Sequence, residues 1–204
     1  MSLIKSLTFF GSARTREENS VFQDAYETAA KLAEHKLTVV NGGGPGEMLA
    51  ATFGAKSAGG KVKVVYYTPQ HATTFEGKNK LNAGDEEFEE SNYILRTKKL
   101  LELGDAYVIF RGGSGTISEF GMAWGLAKLY FGHHKPLILY GEFWHDIIRV
   151  LQKHMITIPN EYKVLTVVKT PDEVMDAILK YEVMIKLNRH SHVENTGDEG
   201  GYIL

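Results

Sequence analysis

AYVIFRGGSGTISEF, residues 106–120, joins a short apolar run to a glycine-rich turn and the opening of a helix. Ala106 to Phe110 favour a buried strand, Gly112, Gly113 and Gly115 let the backbone turn tightly, and Thr116 offers a hydroxyl where the helix is expected to start. Amides at a helix N-terminus point outward unpaired, and the helix dipole adds favourable potential, so an anion such as a phosphate is held there without a dedicated lysine. Glu119 follows one turn into the helix, near the same mouth. A carboxylate beside a bound phosphate is electrostatically unfavourable, which points to chemistry and not to binding alone.

The same strand–turn–helix rhythm extends in both directions. Residues 3–10 read as a first strand, followed by Gly11 and Ser12, and residues 20–36 have helical periodicity through Phe22, Ala25, Tyr26, Ala29 and Leu32. Residues 37–40 form a second apolar strand, and NGGGPGEM, residues 41–48, is a second glycine-rich turn whose helix runs to about Ser57. Residues 61–67 read as a third strand. Periodicity fails from 68 to 90, which predicts a flap or specificity loop, with the acidic run at 85–90 read as a solvated edge in preference to a metal site. Ser91 is the expected cap of a helix carrying Arg96, which either lies near the site or is an ordinary solvated helix arginine. Strands at 136–140 and 164–168 and a helix at 143–155 follow. Thr170, Pro171 and Glu173 then combine cap, first-position proline and capping-box glutamate for a helix to about Ile185. Strands alternating with helices predict an α/β, Rossmann-like, doubly wound and mostly parallel sheet with helices on both faces, and its crevice lies beyond the carboxyl ends of the strands. Both glycine turns should face that crevice. One nucleotide-binding domain, residues 1–187, is expected, with a polar tail at 188–204 that is either disordered or ordered by a neighbouring subunit.

Composition narrows the partners. The 204 residues include 23 basic and 25 acidic side chains, a net charge of −2, so no global basic field captures nucleic acid or an anionic membrane. There is no cysteine, which removes disulfides, thiol nucleophiles and cysteine metal sites. The first apolar stretch is too short for a signal peptide or a membrane span, so a cytoplasmic protein acting on small molecules is expected. The eight histidines show no metal-ligand spacing, and no metal site is predicted.

Common phosphate motifs fail in detail. The dinucleotide pattern G-x-G-x-x-G would need glycine at Ser118 or at Glu47, and the P-loop pattern fails because Gly54 and Gly59 are followed by Gly60 and Lys61. The residues instead resemble the LOG-type family of cytokinin riboside 5′-monophosphate phosphoribohydrolases and related nucleotide hydrolases. Its signature P-G-G-x-G-T-x-x-E is similar to residues 111–119, Arg111 through Gly112, Gly113, Ser114, Gly115 and Thr116 to Glu119. Its G-G-G-P-G-x-M turn is met by Gly42, Gly43, Gly44, Pro45, Gly46, Glu47 and Met48. The arginine of its Arg-Lys pair corresponds to Arg96. Three departures stand out: Arg111 in place of proline, Thr97 in place of lysine, and Met122 where many members carry a second glutamate.

The resemblance implies hydrolysis of the N-glycosidic bond of a nucleoside 5′-monophosphate to free base and ribose 5-phosphate, with no metal or organic cofactor. In that reading Glu119 stabilises the oxocarbenium-like state, orients the attacking water, or both. Arg96 positions the substrate or balances the carboxylate, and Gly11, Ser12 and the two glycine turns meet the nucleotide. Arg111 either strengthens anion binding or pairs with an acidic neighbour. A nucleotide-binding sensor or carrier without turnover is the alternative. The resemblance also implies a homodimer or dimer multiple, which suits the widely apolar helix at 120–131, with Trp124, Leu126, Leu129 and Tyr130.

Overall fold

The computed structural model describes residues 3–69 and 77–193. In chain order the elements are β1 (Ser6–Phe10), α1 (Ser20–Glu34), β2 (Thr38–Asn41), α2 (Glu47–Ser57), β3 (Val62–Tyr67), β4 (Glu86–Glu90) and α3 (Tyr93–Leu103). They continue with β5 (Ala106–Ile109), α4 (Ser114–Leu129), β6 (Leu137–Tyr140), α5 (Phe143–His154), a 3-10 turn at Pro159–Val164, β7 (Leu165–Val168) and α6 (Pro171–Val193). The strands form one sheet in the order β4-β3-β2-β1-β5-β6-β7, and every pairing is parallel. From β1 the chain winds outward to β4, returns to pair β5 against the other side of β1, and winds outward again. The loops leaving β1 and β5 therefore part from each other and open a crevice between them.

Strand alternation divides the core into two layers. Leu7, Phe9, Val108, Phe110 and Ile138 pack on one face with Phe22 and Ala25 of α1, Ala50 and Ala51 of α2, and Val174 and Ile178 of α6. Phe10, Tyr107, Ile109, Leu137 and Leu139 pack on the other with Leu100 and Leu101 of α3, Phe120 and Ala123 of α4, and Trp144 of α5. Strands covered on both faces have no polar side to display, which is why 106–110 reads as a continuous apolar run. Trp144 donates its indole N–H to the Ile109 carbonyl at 3.2 Å, satisfying the one polar atom of a fully buried ring.

Four expectations change. The stretch read as aperiodic from 68 to 90 contains β4, paired in register from Lys63↔Glu86 to Tyr67↔Glu90. Backbone pairing to β3 makes this strand, and its acidic side chains survive because it is an edge, where charge also discourages pairing with other chains; Lys63 meets Glu86 at 3.1 Å. The α3 cap is Asn92, whose Oδ1 accepts from Leu95 N at 2.9 Å, and not Ser91. Helix α4 begins at Ser114, two residues before Thr116, with Gly113 as its N-cap. Helix α6 continues to Val193, past the expected end near Ile185 and the expected boundary at 187; residues 194–204 lie outside the described residues. Trp124 is a packing residue of its own chain: it stacks on Phe120 and donates to the Glu161 carbonyl at 2.7 Å.

The cap assignment is directly measurable. Asn92→Ala should cost about 1 kcal/mol in urea unfolding, and Ser91→Ala no more than a few tenths. Equal losses for both would return the cap to Ser91.

Candidate functional site

A cleft of about 640 Å³ opens at the carboxyl ends of β1 and β5, where the winding reverses. Its floor is Phe9, Phe10 and Gly11, and one wall is the loop from Ser12 to Arg14. The opposite wall is the first turns of α4, with Gly113, Ser114, Gly115, Thr116, Ser118 and Glu119, while Gly42, Met48, Tyr67, Tyr93 and Arg96 close the remaining side.

No side chain caps α4. Its first-turn glycines face open space: nothing lies within 4 Å of where a Gly113 Cβ would stand, and a Gly115 Cβ would meet only the Tyr93 hydroxyl, at 3.8 Å. The bare amides and the dipole of this 16-residue helix therefore face the cleft with room for an anion. The Tyr93 hydroxyl meets Ser118 Oγ at 2.5 Å and bonds the Gly115 carbonyl at 3.3 Å, tying the start of α3 to that of α4.

Arg96 is not a solvated helix arginine. Its residue is 5% exposed, its Nε donates to the Val65 carbonyl at 3.1 Å, its Nη2 to the Gly42 carbonyl at 3.0 Å, and its Nη1 to Glu119 Oε1 at 3.4 Å. Gly42 is glycine because the guanidinium lies against it, and a Cβ there would fall 1.6 Å from Arg96 Nη2. Glu119 is 7% exposed. Burial raises its pKa to about 7, against the lowering effect of the Arg96 charge and hydrogen bond.

A second buried carboxylate, Glu47, stands at the first position of α2 beneath Gly11. Its Oε2 accepts the Ser12 amide at 2.6 Å, and its Oε1 has no hydrogen-bond partner among the described residues. A Cβ on Gly11 would lie 1.8 Å from that Oε2, so glycine here leaves room for the Glu47 carboxylate. Burial lifts the Glu47 pKa to about 8, outweighing the Ser12 amide and the Thr15 hydroxyl, so the group is mostly neutral at pH 7.

The structure thus gathers Gly11, Ser12, Gly42, Arg96, Gly113, Ser114, Gly115, Thr116 and Glu119 around one cleft. Gly43, Gly44, Gly46 and Gly112 do not line it; the first three are buried in the second turn, which only Gly42 presents to the cleft. Arg111 lies with its guanidinium over the Phe143 ring, 5.4 Å from the centroid, outside the lining. Met122 is exposed on α4, also off the cleft, and Thr97 is fully buried with no partner for its hydroxyl among the described residues. Glu47, Tyr67 and Tyr93 are lining or supporting residues that sequence reasoning missed. Tyr67, the last residue of β3, carried a signal in its place at the carboxyl end of a parallel strand; Glu47 fills a variable motif position and carried none. Among the described residues, no group of His, Asp or Glu side chains is placed to hold a metal ion, and no helix is long and apolar enough to cross a membrane.

A family model described as "possible lysine decarboxylase" matches residues 48–178. Among solved structures, the molybdenum cofactor binding protein of the phototrophic bacterium Rippkaea orientalis superposes with a TM-score of 0.64 at 17% identity, covering 89% of this chain and 98% of its own. The molybdenum cofactor carrier protein of Chlamydomonas reinhardtii gives 0.60 at 20%, covering 90% and 99%. DNA processing protein A of Helicobacter pylori, described for its single-stranded DNA binding mode, gives 0.59 at 15%, covering 87% and 81%. At these identities the likeness is one of fold. No curated protein sequence matches the chain.

The buried Glu47 sets a pH dependence. The unfolded chain loses this proton above its ordinary pKa of 4.5 while the folded chain keeps it to about 8, so the stability linked to Glu47 is full below pH 4.5 and falls as pH rises toward 8. Glu47→Gln, which mimics the protonated acid, should melt with the parent near pH 5 and gain on it up to pH 8, by on the order of a few kcal/mol. Melting curves that keep a constant separation over that range would place Glu47 in its charged form.

Proposed function

The chain belongs to the LOG-type family, whose model is described as "possible lysine decarboxylase", and on that premise we propose that it hydrolyses the N-glycosidic bond of a nucleoside 5′-monophosphate. The observation that carries this reading is the buried Arg96–Glu119 pair, set in the cleft wall beside the uncapped N-terminus of α4. The phosphate sits on the first-turn amides of Ser114, Gly115 and Thr116. Tyr67, Tyr93, Phe10 and Met48 supply the apolar surface for a base.

As the bond from C1′ to the base nitrogen breaks, its electron pair leaves with the base and positive charge grows on the ribose. Glu119, as a carboxylate, stabilises that charge and holds the water that adds to C1′; the water's proton ends on the departing base or in solvent. Arg96 spends its donors on two backbone carbonyls, the Met48 sulfur and Glu119. Its role is therefore to fix the carboxylate and to keep its pKa lower than burial alone would leave it. The phosphate belongs to α4 and not to both glycine turns, because Glu47 N at the start of α2 is already bonded to the Ser12 carbonyl at 3.0 Å. We place the activity in the cytoplasm, with soluble nucleotides as substrates and no nucleic acid bound.

The pKa of about 7 at Glu119 sets the sign of the pH effect: the reactive form is ionised, so turnover rises with pH through about 7 and levels above it. Glu119→Gln should lower single-turnover base release by roughly two to three orders of magnitude, with nucleotide affinity unchanged or improved as repulsion of the phosphate is relieved. Nucleosides lacking the phosphate should be poor substrates. Base release by a folded Glu119→Gln protein at the parental rate would remove Glu119 from the mechanism. Nucleotide-dependent thermal stabilisation without base release from the parent would leave a binding protein, the role that the names of the two molybdenum cofactor proteins describe for them.

We also propose a homodimer, formed by the outward apolar surface of α3 and α4, where Ile94, Leu95, Ile117, Met122 and Leu129 are exposed. Light scattering should give twice the chain mass at micromolar concentration, and Met122→Lys should shift it toward the monomer. A parental monomer under those conditions would reject the pairing.

A further inference from the structure

Three side chains outside the cleft lining close a ring beneath the second glycine turn. Asn41 at the end of β2, Thr52 in α2 and Asn82 in the segment before β4 are each at most 1% exposed. Asn41 Nδ2 donates to Thr52 Oγ1 at 2.8 Å, Thr52 Oγ1 donates to Asn82 Oδ1 at 2.5 Å, and Asn82 Nδ2 donates to Asn41 Oδ1 at 3.1 Å. Two backbone groups of the turn fix which way both amides point. Gly43 N donates to Asn41 Oδ1 at 2.8 Å, so that atom must be the carbonyl oxygen, and Asn82 Nδ2 donates to the Gly44 carbonyl at 2.8 Å, so that atom must be the nitrogen. Every hydrogen bond in the ring therefore runs in one direction, and reversing one amide would set donor against donor or acceptor against acceptor.

A buried polar ring of this kind is costly unless every member is satisfied, and here each is. A core needing only volume at this place would be filled by apolar groups. The ring's outputs go to the turn: Gly43 N and the Gly44 carbonyl are held on either side, and Asn79 N adds a bond to the Gly43 carbonyl at 2.8 Å. The residue immediately before them, Gly42, gives its carbonyl to Arg96 Nη2. A shift of the turn thus moves one of the acceptors, beside the Val65 carbonyl and Met48 Sδ, that aim the guanidinium at Glu119.

We propose that Asn41, Thr52 and Asn82 are positioning residues, which set the Gly42–Gly44 backbone and through the Gly42 carbonyl hold Arg96 in register with Glu119. The inference rests on the role assigned above to the Arg96–Glu119 pair, but its test reads the pair itself and not the reaction. Thr52→Val keeps the shape and removes the hydroxyl, leaving Asn41 Nδ2 and Asn82 Oδ1 facing a methyl group; Thr52→Ser restores the hydroxyl. The Glu119 carboxyl is followed by carbon-detected NMR on glutamate-labelled protein, assigned with Glu119→Gln.

In Thr52→Val the Glu119 titration should move to higher pH, because the arginine that opposes the burial effect is no longer held against it. In Thr52→Ser it should stay at the parental midpoint. With turnover measured alongside, kcat should fall on the order of tenfold to a hundredfold in Thr52→Val with KM little changed, since misalignment acts on the reacting groups and not on the α4 phosphate contacts. Should Thr52→Val not fold, Asn82→Ala cuts the ring outside any helix and should give the same upward shift. A folded ring variant whose Glu119 titrates as in the parent, whatever its loss of thermal stability, overturns the proposal. A shift in Glu119 in a protein that releases no base upholds the ring and rejects only the assigned reaction.

Discussion

The site depends on one buried cation and where its donors go. Arg96 is buried, so the guanidinium must be satisfied by protein, and its acceptors come from four separate parts of the fold: β3, the turn after β2, α4 and, through Met48 Sδ at 3.8 Å, the start of α2. Removing one partner of such a pair leaves an uncompensated buried charge, at a cost of about 3–5 kcal/mol, whereas keeping it adds little net stability. That asymmetry makes the arrangement a constraint more than a source of energy. The β2 turn, the end of β3 and the start of α4 cannot move independently without unpairing a charge. The glycine at 42 is part of the same constraint, since the guanidinium occupies the place of its side chain.

Two carboxylates lie buried at this end of the sheet, and their surroundings separate them. Glu47 has one backbone amide and no cation, and burial carries its pKa to about 8; Glu119 has Arg96, and its pKa stops at about 7. Near neutral pH the first is mostly an uncharged acid bracing the Ser12 loop, and the second is close to its midpoint, poised to be ionised. This is how two residues of one type take different work from environment alone. It also removes a difficulty raised by the sequence, that carboxylates would repel a phosphate: one of the two carries little charge, and the other has a guanidinium 3.4 Å away.

The fold was legible because a doubly wound sheet writes itself into local pattern: apolar runs at β1, β2, β5 and β6 separated by amphipathic helices leave few topologies open. What escaped was decided by tertiary contact. β4 is Glu86–Glu90, a composition no strand propensity favours, and only the exposed edge of β3 makes it a strand. At Ser91 and Asn92 two good capping residues stand side by side, and the direction of the chain leaving β4 chooses between them. In the site, the helix-opening glycines and Glu119 could be read from spacing. Arg96 could not be told from a surface arginine, because its burial comes from β3 and the Gly42 turn, both more than thirty residues away in sequence. Arg111 shows the reverse case: its charge suggested an anion, and the neighbouring Phe143 ring gives it another place.

The two glycine turns, so alike in sequence, do opposite things. In the turn after β2, Gly42 gives its space to Arg96, and Glu47 N at the start of α2 is taken by the Ser12 carbonyl. In the turn after β5, Gly113 has nothing near its absent side chain, and α4 begins without a side-chain cap. With glycine at the N-cap, this exposed helix start forgoes only a few tenths of a kcal/mol that serine or aspartate at position 113 would supply. A side chain there would also stand in the cleft and occupy the amides. On the reading proposed above, a bound phosphate takes the hydrogen bonds and the dipole potential that a cap would have used. On that reading glycine count alone does not mark a phosphate site; the space left empty beside an uncapped helix start marks it.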